Sequence, residues 1–258
     1  MITIVPCVDH QIGFECLLHL LKLEVEKKLY IPYVITTKQN NEGWWQSIFE
    51  LKMNKQIVYF EDYQIPENLI APDYLLLLSW KYLLNKNWIN FPNKFCINLH
   101  YSLLPKNRGT YPVNWSIING DKFSGVTFHF VNEKVDDGVV VIQKKAKILL
   151  SDTAYSLLQR LDKLALRGFQ ELMNLICENN VPIRINKNHI SLVNSKKEFE
   201  KLKHINLNTK GRFKDFFDLI RGLTFNPEKP ICYFQDKQNG RKYGISIIIK
   251  QLNHDSIQ

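Results

Sequence analysis

The sequence predicts an α/β fold, with a mostly parallel central sheet and a small C-terminal helix and β-hairpin appendage. Three observations lead there. From Ile2 to His100, short β-branched runs alternate with stretches carrying apolar residues at helical spacing, the pattern of β-α-β units. Two strand-like runs, Gly125 to Val131 and Val139 to Lys147, then lead into a long amphipathic stretch. The tail closes on two short strand-like runs around an Asn-Gly turn.

Ile2 to Pro6 is rich in β-branched residues and reads as the first strand, and Ile12 to Leu23 as the first helix. Tyr33 to Thr36 is strand-like and Trp44 to Leu51 helical. Ile57 to Phe60 and Tyr74 to Ser79 read as buried strands, the second introduced by the turn Ala71-Pro72-Asp73. Phe95 to His100 is another strand. The runs from Gly125 and Val139 are joined by the polar turn Asn132 to Gly138 and are suited to pair. Ser151-Asp152-Thr153 offers N-cap chemistry for a helix reaching about Cys177. Asn179 to Lys210 is polar and Lys-rich and reads as a connector with little core of its own, its Lys196 to Lys203 stretch a solvated face. A helix at Phe213 to Leu223 and strands at Ile231 to Gln235 and Lys242 to Ile249, turned at Gln238-Asn239-Gly240, complete the chain. The expected division is residues 1–180 as one domain and residues 181–258 as connector plus appendage.

Composition narrows the function classes. The 258 residues are 45% hydrophobic, 12% aromatic and 23% charged, with 11 Gly and 10 Pro, which excludes disordered, collagenous and low-complexity classes. The apolar run Tyr74 to Leu84 is broken by Lys81 and is short of the ~20 residues of a membrane helix. The opening MITIVPC lacks a basic n-region and a small-residue cleavage site. The expectation is a cytoplasmic chain with no membrane partner. The charge balance, 34 Lys+Arg against 25 Asp+Glu, gives +9 and suits an anionic partner. Only seven of those bases are Arg, whereas base readers lean on Arg forks, so a small anionic ligand is favoured over nucleic acid. The five cysteines are scattered without a C-x-x-C pair, against a disulfide framework or structural zinc.

No G-x-G-x-x-G follows the first strand and no G-x-x-x-x-G-K-[ST] occurs, which disfavours dinucleotide-binding and P-loop domains. His10 and His19 have no carboxylate or thiol at ligand spacing, and Cys96 with His100 lacks two further ligands, so no metal is expected. Asn98 and His100 stand two apart at a strand end, where side chains leave on one face. In an open parallel sheet that end borders the ligand crevice. An amide and an imidazole there supply an oxyanion donor and a proton acceptor. A satisfied strand-end pair is the plain alternative for the dipeptide taken alone.

The residues that follow extend the pattern. Asn98, His100, Ser102, Leu104 and Pro105 lead to Arg108-Gly109, Pro112 and Trp115, then Asn119-Gly120, Gly125-Val126-Thr127, His129, and Asp136 with Gly138. This order resembles the catalytic core of the N10-formyltetrahydrofolate-dependent formyltransferases, which include methionyl-tRNA, glycinamide ribonucleotide and sugar-nucleotide enzymes. The resemblance implies a Rossmann-like formyltransferase domain over residues 1–180, and it implies that Asn98, His100 and Asp136 form a catalytic trio. His100 would accept the amine proton, Asn98 would donate to the formyl oxygen, and Asp136 would orient and charge-stabilise the imidazole. Asp137 stands where the family often has Thr, and Tyr101 where a smaller residue or Pro is usual; the Asp136-x-Gly138 spacing favours Asp136 over its neighbour. His129 holds what is usually a supporting position and stays outside the trio.

The same resemblance implies that Ser79, Trp80, Lys81 and Tyr82, together with Val135, line the pterin pocket of the co-substrate N10-formyltetrahydrofolate. Lys106, Arg108 and Tyr111, on the loop after the catalytic strand, are where an anionic acceptor would be met. The helix and hairpin of the tail look like those of the sugar-nucleotide N-formyltransferases. The implied acceptor is then a nucleotide-linked amino sugar, dTDP- or GDP-borne, used in making surface polysaccharide such as the O-antigen of lipopolysaccharide. A methionyl-tRNA enzyme without its usual C-terminal barrel, and a folate-binding relative without catalysis, are the alternatives. The apolar run Ile245 to Ile249 is suited to pair across a homodimer.

Overall fold

The computed structural model describes residues 1–37, 48, 51, 53–60, 64–183 and 192–252. The expected helix over residues 44–51 lies almost wholly outside the described residues. Two compact units are distinguished, Met1–His100 with Val126–Lys144 and Asp162–His189, and Tyr101–Gly125 with Lys145–Leu161 and Ile190–Gln258.

Strand β1 (Ile2–Val8) is followed by helix α1 (His10–Val25), and the short β2 (Leu29–Tyr30) precedes β3 (Tyr33–Thr36). Next come β4 (Gln56–Tyr59), β5 (Tyr74–Leu78), the single turn α2 (Lys86–Ile89) and β6 (Phe95–His100). Strands β8 (Phe123–Phe130) and β9 (Val140–Lys147) finish the sheet, and the long helix α4 covers Ala154–Cys177. Across the sheet the order is β4-β3-β1-β5-β6-β8-β9, with β2 alongside β1. The pairs among β4, β3, β1, β5 and β6 are parallel, and β6 with β8 is antiparallel. The expected mostly parallel sheet is therefore present.

The chain fills one side of β1 with β3 and β4 before returning to the other side as β5 and β6. That reversal opens the crevice in which doubly wound sheets bind ligands, beyond the carboxyl ends of the strands. Asp9 caps α1 there, accepting from the His10 backbone N–H at 3.0 Å. β5 is buried along its whole length, as its unbroken Tyr-Leu run demands of a central strand. β4 is not: it is the edge strand, half-buried at Ile57 and Val58, which corrects the reading of Ile57 to Phe60 as fully interior. Phe128 of β8 and Phe169 of α4 are both fully buried and pack ring to ring.

In the second unit, β7 (Arg108–Gly109) pairs in parallel with β10 (Val193–Asn194), two short strands that composition did not announce. Helices α3 (Pro112–Ile118), α5 (Lys196–Leu202) and α6 (Phe213–Leu223) surround the hairpin of β11 (Cys232–Gln235) and β12 (Lys242–Ile245). Phe199, Leu223 and Cys232 form the core, flanked by Trp115, Leu202 and Ile231. The reading of Asn179 to Lys210 as having little core is thus corrected: Phe199 is 1% exposed. Ser195 and Glu198 form a reciprocal capping box that starts α5, and the lysines take its outer face while Phe199 turns inward. Among the described residues no helix is long and apolar enough to cross a membrane.

Candidate active site

Asn98 and His100 leave β6 on one face, as the two-residue spacing requires. The antiparallel register places His129 of β8 directly opposite Asn98, and Thr127 opposite His100. Asp136 reaches the same place from the loop between β8 and β9. Its Oδ2 lies 3.4 Å from His100 Nδ1, and its Oδ1 lies 3.5 Å from His129 Nε2. Asn98 Nδ2 donates to Asp136 Oδ1 at 3.4 Å and stands 3.2 Å from His129 Nε2. The side chains of His100, His129 and Asp136 are 7%, 2% and 12% exposed, so the cluster is nearly dry at its base.

The hydrogen positions follow from the backbone. His129 Nδ1 is 2.8 Å from the Phe130 carbonyl, which can only accept. Nδ1 therefore carries the proton, and in the neutral ring Nε2 accepts from the Asn98 amide. Asn98 is thereby turned with its NH2 group into the cluster. Gly138 explains the D-x-G spacing. A Cβ on it would stand 1.6 Å from the Phe130 carbonyl oxygen and 3.3 Å from His129 Nδ1, so only glycine lets the loop close here. The closed loop is pinned by the Phe130 N–H donating to Val139 O at 2.9 Å. Asp136 itself sits at φ +46, a left-handed conformation that Asp tolerates better than most residues.

The other sequence-expected residues fall as follows. Ser79 follows β5 in a left-handed conformation, φ +61, with its hydroxyl and carbonyl each 3.3 Å from His10 Nδ1. Lys81 Nζ reaches the buried Asp9 carboxylate at 3.2 Å and lies 5.5 Å from the Tyr82 ring centre. Trp80 and Tyr82 join Phe60 and Trp88 in an aromatic cluster, and the buried indole N–H groups of Trp80 and Trp88 have no hydrogen-bond partner among the described residues. Val131, at the head of the loop that carries Asp136, packs on this cluster's core, and Val135 is half-buried beside Asp136. In the second unit, Lys106 Nζ donates to Asp121 Oδ1 at 3.2 Å, Arg108 is buried, and Tyr111 is exposed.

His129 belongs to the cluster although the sequence reading left it out of the trio. The signal was the cross-strand register, which spacing along one strand does not carry. Among the described residues no group of three or more His, Cys, Asp or Glu side chains is arranged to hold a metal ion.

Comparison with known proteins bears on this site. Residues 30–173 match the formyl transferase family, and residues 198–251 match the N-formyltransferase dimerization C-terminal domain. The methionyl-tRNA formyltransferase of Clostridium tetani is 34% identical over 183 residues, 70% of this chain and 57% of its own length. The chain spans about half the length of the curated relatives it matches. A sugar N-formyltransferase from Shewanella sp. superposes with a TM-score of 0.81 at 20% identity, covering 98% of this chain and 100% of the other. The N-formyltransferase of Helicobacter canadensis, solved with folinic acid and dTDP-3-aminofucose, superposes at 0.68 with 23% identity over 86% of this chain and 80% of the other. By the match over more than half of its length, on the stretch that holds Asn98, His100, His129 and Asp136, the chain belongs to the formyl transferase family.

Proposed function

We propose that the protein transfers a formyl group from N10-formyltetrahydrofolate to the amine of a nucleotide-linked amino deoxysugar. The observation that carries the acceptor class is the tail: residues 198–251 match the C-terminal domain of N-formyltransferases, and the likeness to the Shewanella sugar enzyme runs the full length of both chains. Residues 1–180 are taken as the catalytic part and 181–258 as connector and appendage, with a homodimer formed through the latter. A cytoplasmic place in the assembly of a surface polysaccharide, such as the O-antigen of lipopolysaccharide, accords with a nucleotide-sugar substrate.

The chemistry rests on this chain's own groups. With Nδ1 turned toward Asp136, His100 takes the amine proton on Nε2 as the nitrogen attacks the formyl carbon. Asp136 stabilises and orients the imidazolium until its Nε2 proton passes to the departing N10, which leaves His100 neutral again. Asn98 serves the formyl oxygen by releasing its long 3.4 Å contact to Asp136 while keeping the shorter one to His129. The rings of Phe60, Trp80 and Tyr82, with a Trp80 indole N–H that has no partner among the described residues, fit a flat nitrogen heterocycle such as the reduced pterin. The Ser79 to Tyr82 loop and Val135 are assigned to that pocket, and Lys106, Arg108 and Tyr111 to the acceptor.

A second reading has specific support. The curated relative from Clostridium tetani is a methionyl-tRNA formyltransferase, so that acceptor must be tested beside the sugars. The test is a formylation assay with N10-formyltetrahydrofolate over dTDP- and GDP-linked 3-amino and 4-amino dideoxyhexoses, with methionyl-tRNA in parallel. Turnover of a nucleotide sugar with none of methionyl-tRNA is expected. The reverse result moves the protein to the tRNA enzymes, and folate binding without turnover of any amine makes it a non-catalytic relative.

A further inference from the structure

Tyr111 is held in an unusual way. It precedes α3 with φ +55 and ψ +43, left-handed values that are costly for a bulky residue, on the order of 1–3 kcal/mol. The backbone leading to it is fixed: Gly109, at φ +87, lies so close to β10 that a Cβ would stand 2.2 Å from the Asn194 carbonyl oxygen. The Thr110 N–H donates to that same carbonyl at 3.0 Å. The strained residue thus ends a strap sewn to β10, and its ring has one fixed seat.

That seat is Phe199. The two rings stack with centroids 4.1 Å apart and planes 23° from parallel. Phe199 is 1% exposed and braced edge-on by Trp115, while Tyr111 is 37% exposed. Its hydroxyl has no hydrogen-bond partner among the described residues. Lys203 Nζ lies 5.7 Å from the Phe199 ring centre and is paired with Glu200 Oε1 at 2.6 Å, so it braces the Phe199 side of the stack. A flat ring held rigid, backed by Phe199 and more than a third exposed, is the arrangement that stacks a second flat ring at low entropic cost.

We infer that the outer face of Tyr111, seated on Phe199, is the platform on which the nucleobase of the acceptor stacks. The inference rests on the nucleotide-sugar reading above and deepens it. The occupant is the base rather than the sugar, because a flat aromatic face matches a flat heterocycle better than a puckered sugar ring. Phe199 acts through Tyr111 and is a positioning residue.

The experiment uses the full chain. Titration calorimetry measures the affinity for free thymidine, uridine and guanosine diphosphates, and steady-state assays give kcat and KM for the best nucleotide-linked amino sugar. Base–aromatic stacking lost on alanine substitution corresponds to roughly 5- to 150-fold in affinity. Tyr111→Ala and Tyr111→Leu should each weaken nucleoside diphosphate binding in that range and raise KM alike, with kcat at saturation within about twofold. Tyr111→Phe should keep wild-type affinity. Phe199→Leu, which keeps the core filled, should weaken the nucleotide several-fold without lowering saturated kcat, a split that a loss of folding does not give. Unchanged diphosphate affinity in both Tyr111→Ala and Tyr111→Leu overturns the inference while leaving the formylation reading intact. A raised KM for the sugar nucleotide with unchanged affinity for the free diphosphate also overturns it, in favour of the sugar. Wild-type protein that neither binds a nucleoside diphosphate nor formylates a nucleotide sugar overturns both readings.

Discussion

Asn98 of β6 and His129 of β8 are directly opposed across an antiparallel pair, with Asn98 Nδ2 3.2 Å from His129 Nε2. Because the Phe130 carbonyl fixes the proton on His129 Nδ1, this contact decides which end of the Asn98 amide faces the cluster. His129 thus sets the orientation of Asn98, to which the proposed mechanism gives the formyl oxygen.

His129→Leu should therefore lower kcat by roughly 10- to 100-fold, the range for leaving a buried polar partner unsatisfied. His129→Gln, whose side-chain oxygen still accepts, should lose much less. KM values for both substrates should stay within about threefold, since the contact serves the transition state. Equal losses in the two variants would show that the acceptor atom at this position is irrelevant.

The trio gives a sharper ranking. His100→Asn removes the proton acceptor and should cost on the order of 10²–10⁴-fold in kcat. Asn98→Ala should cost about 10²–10³-fold. Asp136→Asn should be severe because an amide does not stabilise the imidazolium, whereas Asp137→Asn should be mild. All four should fold, which thermal melting checks. Near wild-type turnover in His100→Asn refutes the proton assignment, and a larger loss at Asp137 than at Asp136 shifts the trio by one residue.

Gly138→Ala tests the loop rather than the chemistry. The added methyl meets the Phe130 carbonyl at 1.6 Å, so the segment must move, and overpacking of this kind costs typically 1–3 kcal/mol. The movement carries Asp136 away from His100 and also disturbs the carbonyl that sets His129. A fall in kcat well beyond the fall in stability is expected from activity and urea unfolding measured side by side. Wild-type kcat in a folded Gly138→Ala would mean that Asp136 does not depend on this closure.

How much of this was legible in the sequence depends on whether the information is local. β6, with Asn98 and His100 on one face, follows from a six-residue run and a two-residue spacing. The β8–β9 loop was legible through Asp136-x-Gly138. His129 was legible as a supporting position outside the trio, but its partner Asn98 was not, because that contact depends on the register between two strands. Phe199 was hidden for another reason. A seven-residue helix whose lysines take the other face offers only Phe199 and Leu202 as apolar residues, a single i,i+3 step that is too short to show a period. The Ser195-Lys-Lys-Glu198 capping box was the available sign. The left-handed Tyr111 left no trace, since Thr-Tyr-Pro names no such conformation.

The second unit carries a buried ion pair whose loss should be felt in stability. Arg221 Nε donates to Asp218 Oδ1 at 2.7 Å, and its Nη1 donates to the carbonyls of Asp152 and Leu149 at 2.9 and 3.1 Å. Lys214 also meets Asp218, and Asp218 and Arg221 are 2% and 3% exposed. Removing one partner strands the other, at a cost of about 3–5 kcal/mol. Asp218→Leu and Arg221→Met should each show that loss in urea unfolding, and the double variant should recover part of it. Single variants within about 1 kcal/mol of wild type would contradict the buried pairing.

The thiols complete the set. All five cysteines are free, and burial holds the thiols of Cys7, Cys16 and Cys96 well above the ordinary range. Burial pushes Cys232 up to about 11. A raised thiol pKa means less thiolate at a given pH, and the thiolate is the reacting species. At pH 8 a group at about 11 is ionised in roughly one part in a thousand, against about a quarter for an ordinary exposed thiol. Iodoacetamide at pH 8 should therefore label the half-buried Cys177 first and leave Cys7, Cys16 and Cys96 intact until the chain is unfolded. Labelling of Cys232 should quicken about tenfold per pH unit as its thiolate grows. Cys96 lies two residues before Asn98 on β6, so its protection carries a functional corollary: formylation activity should survive the treatment. Peptide mass spectrometry with parallel assays reads both, and rapid native labelling of Cys96 with loss of activity would contradict the packing of β6 described above.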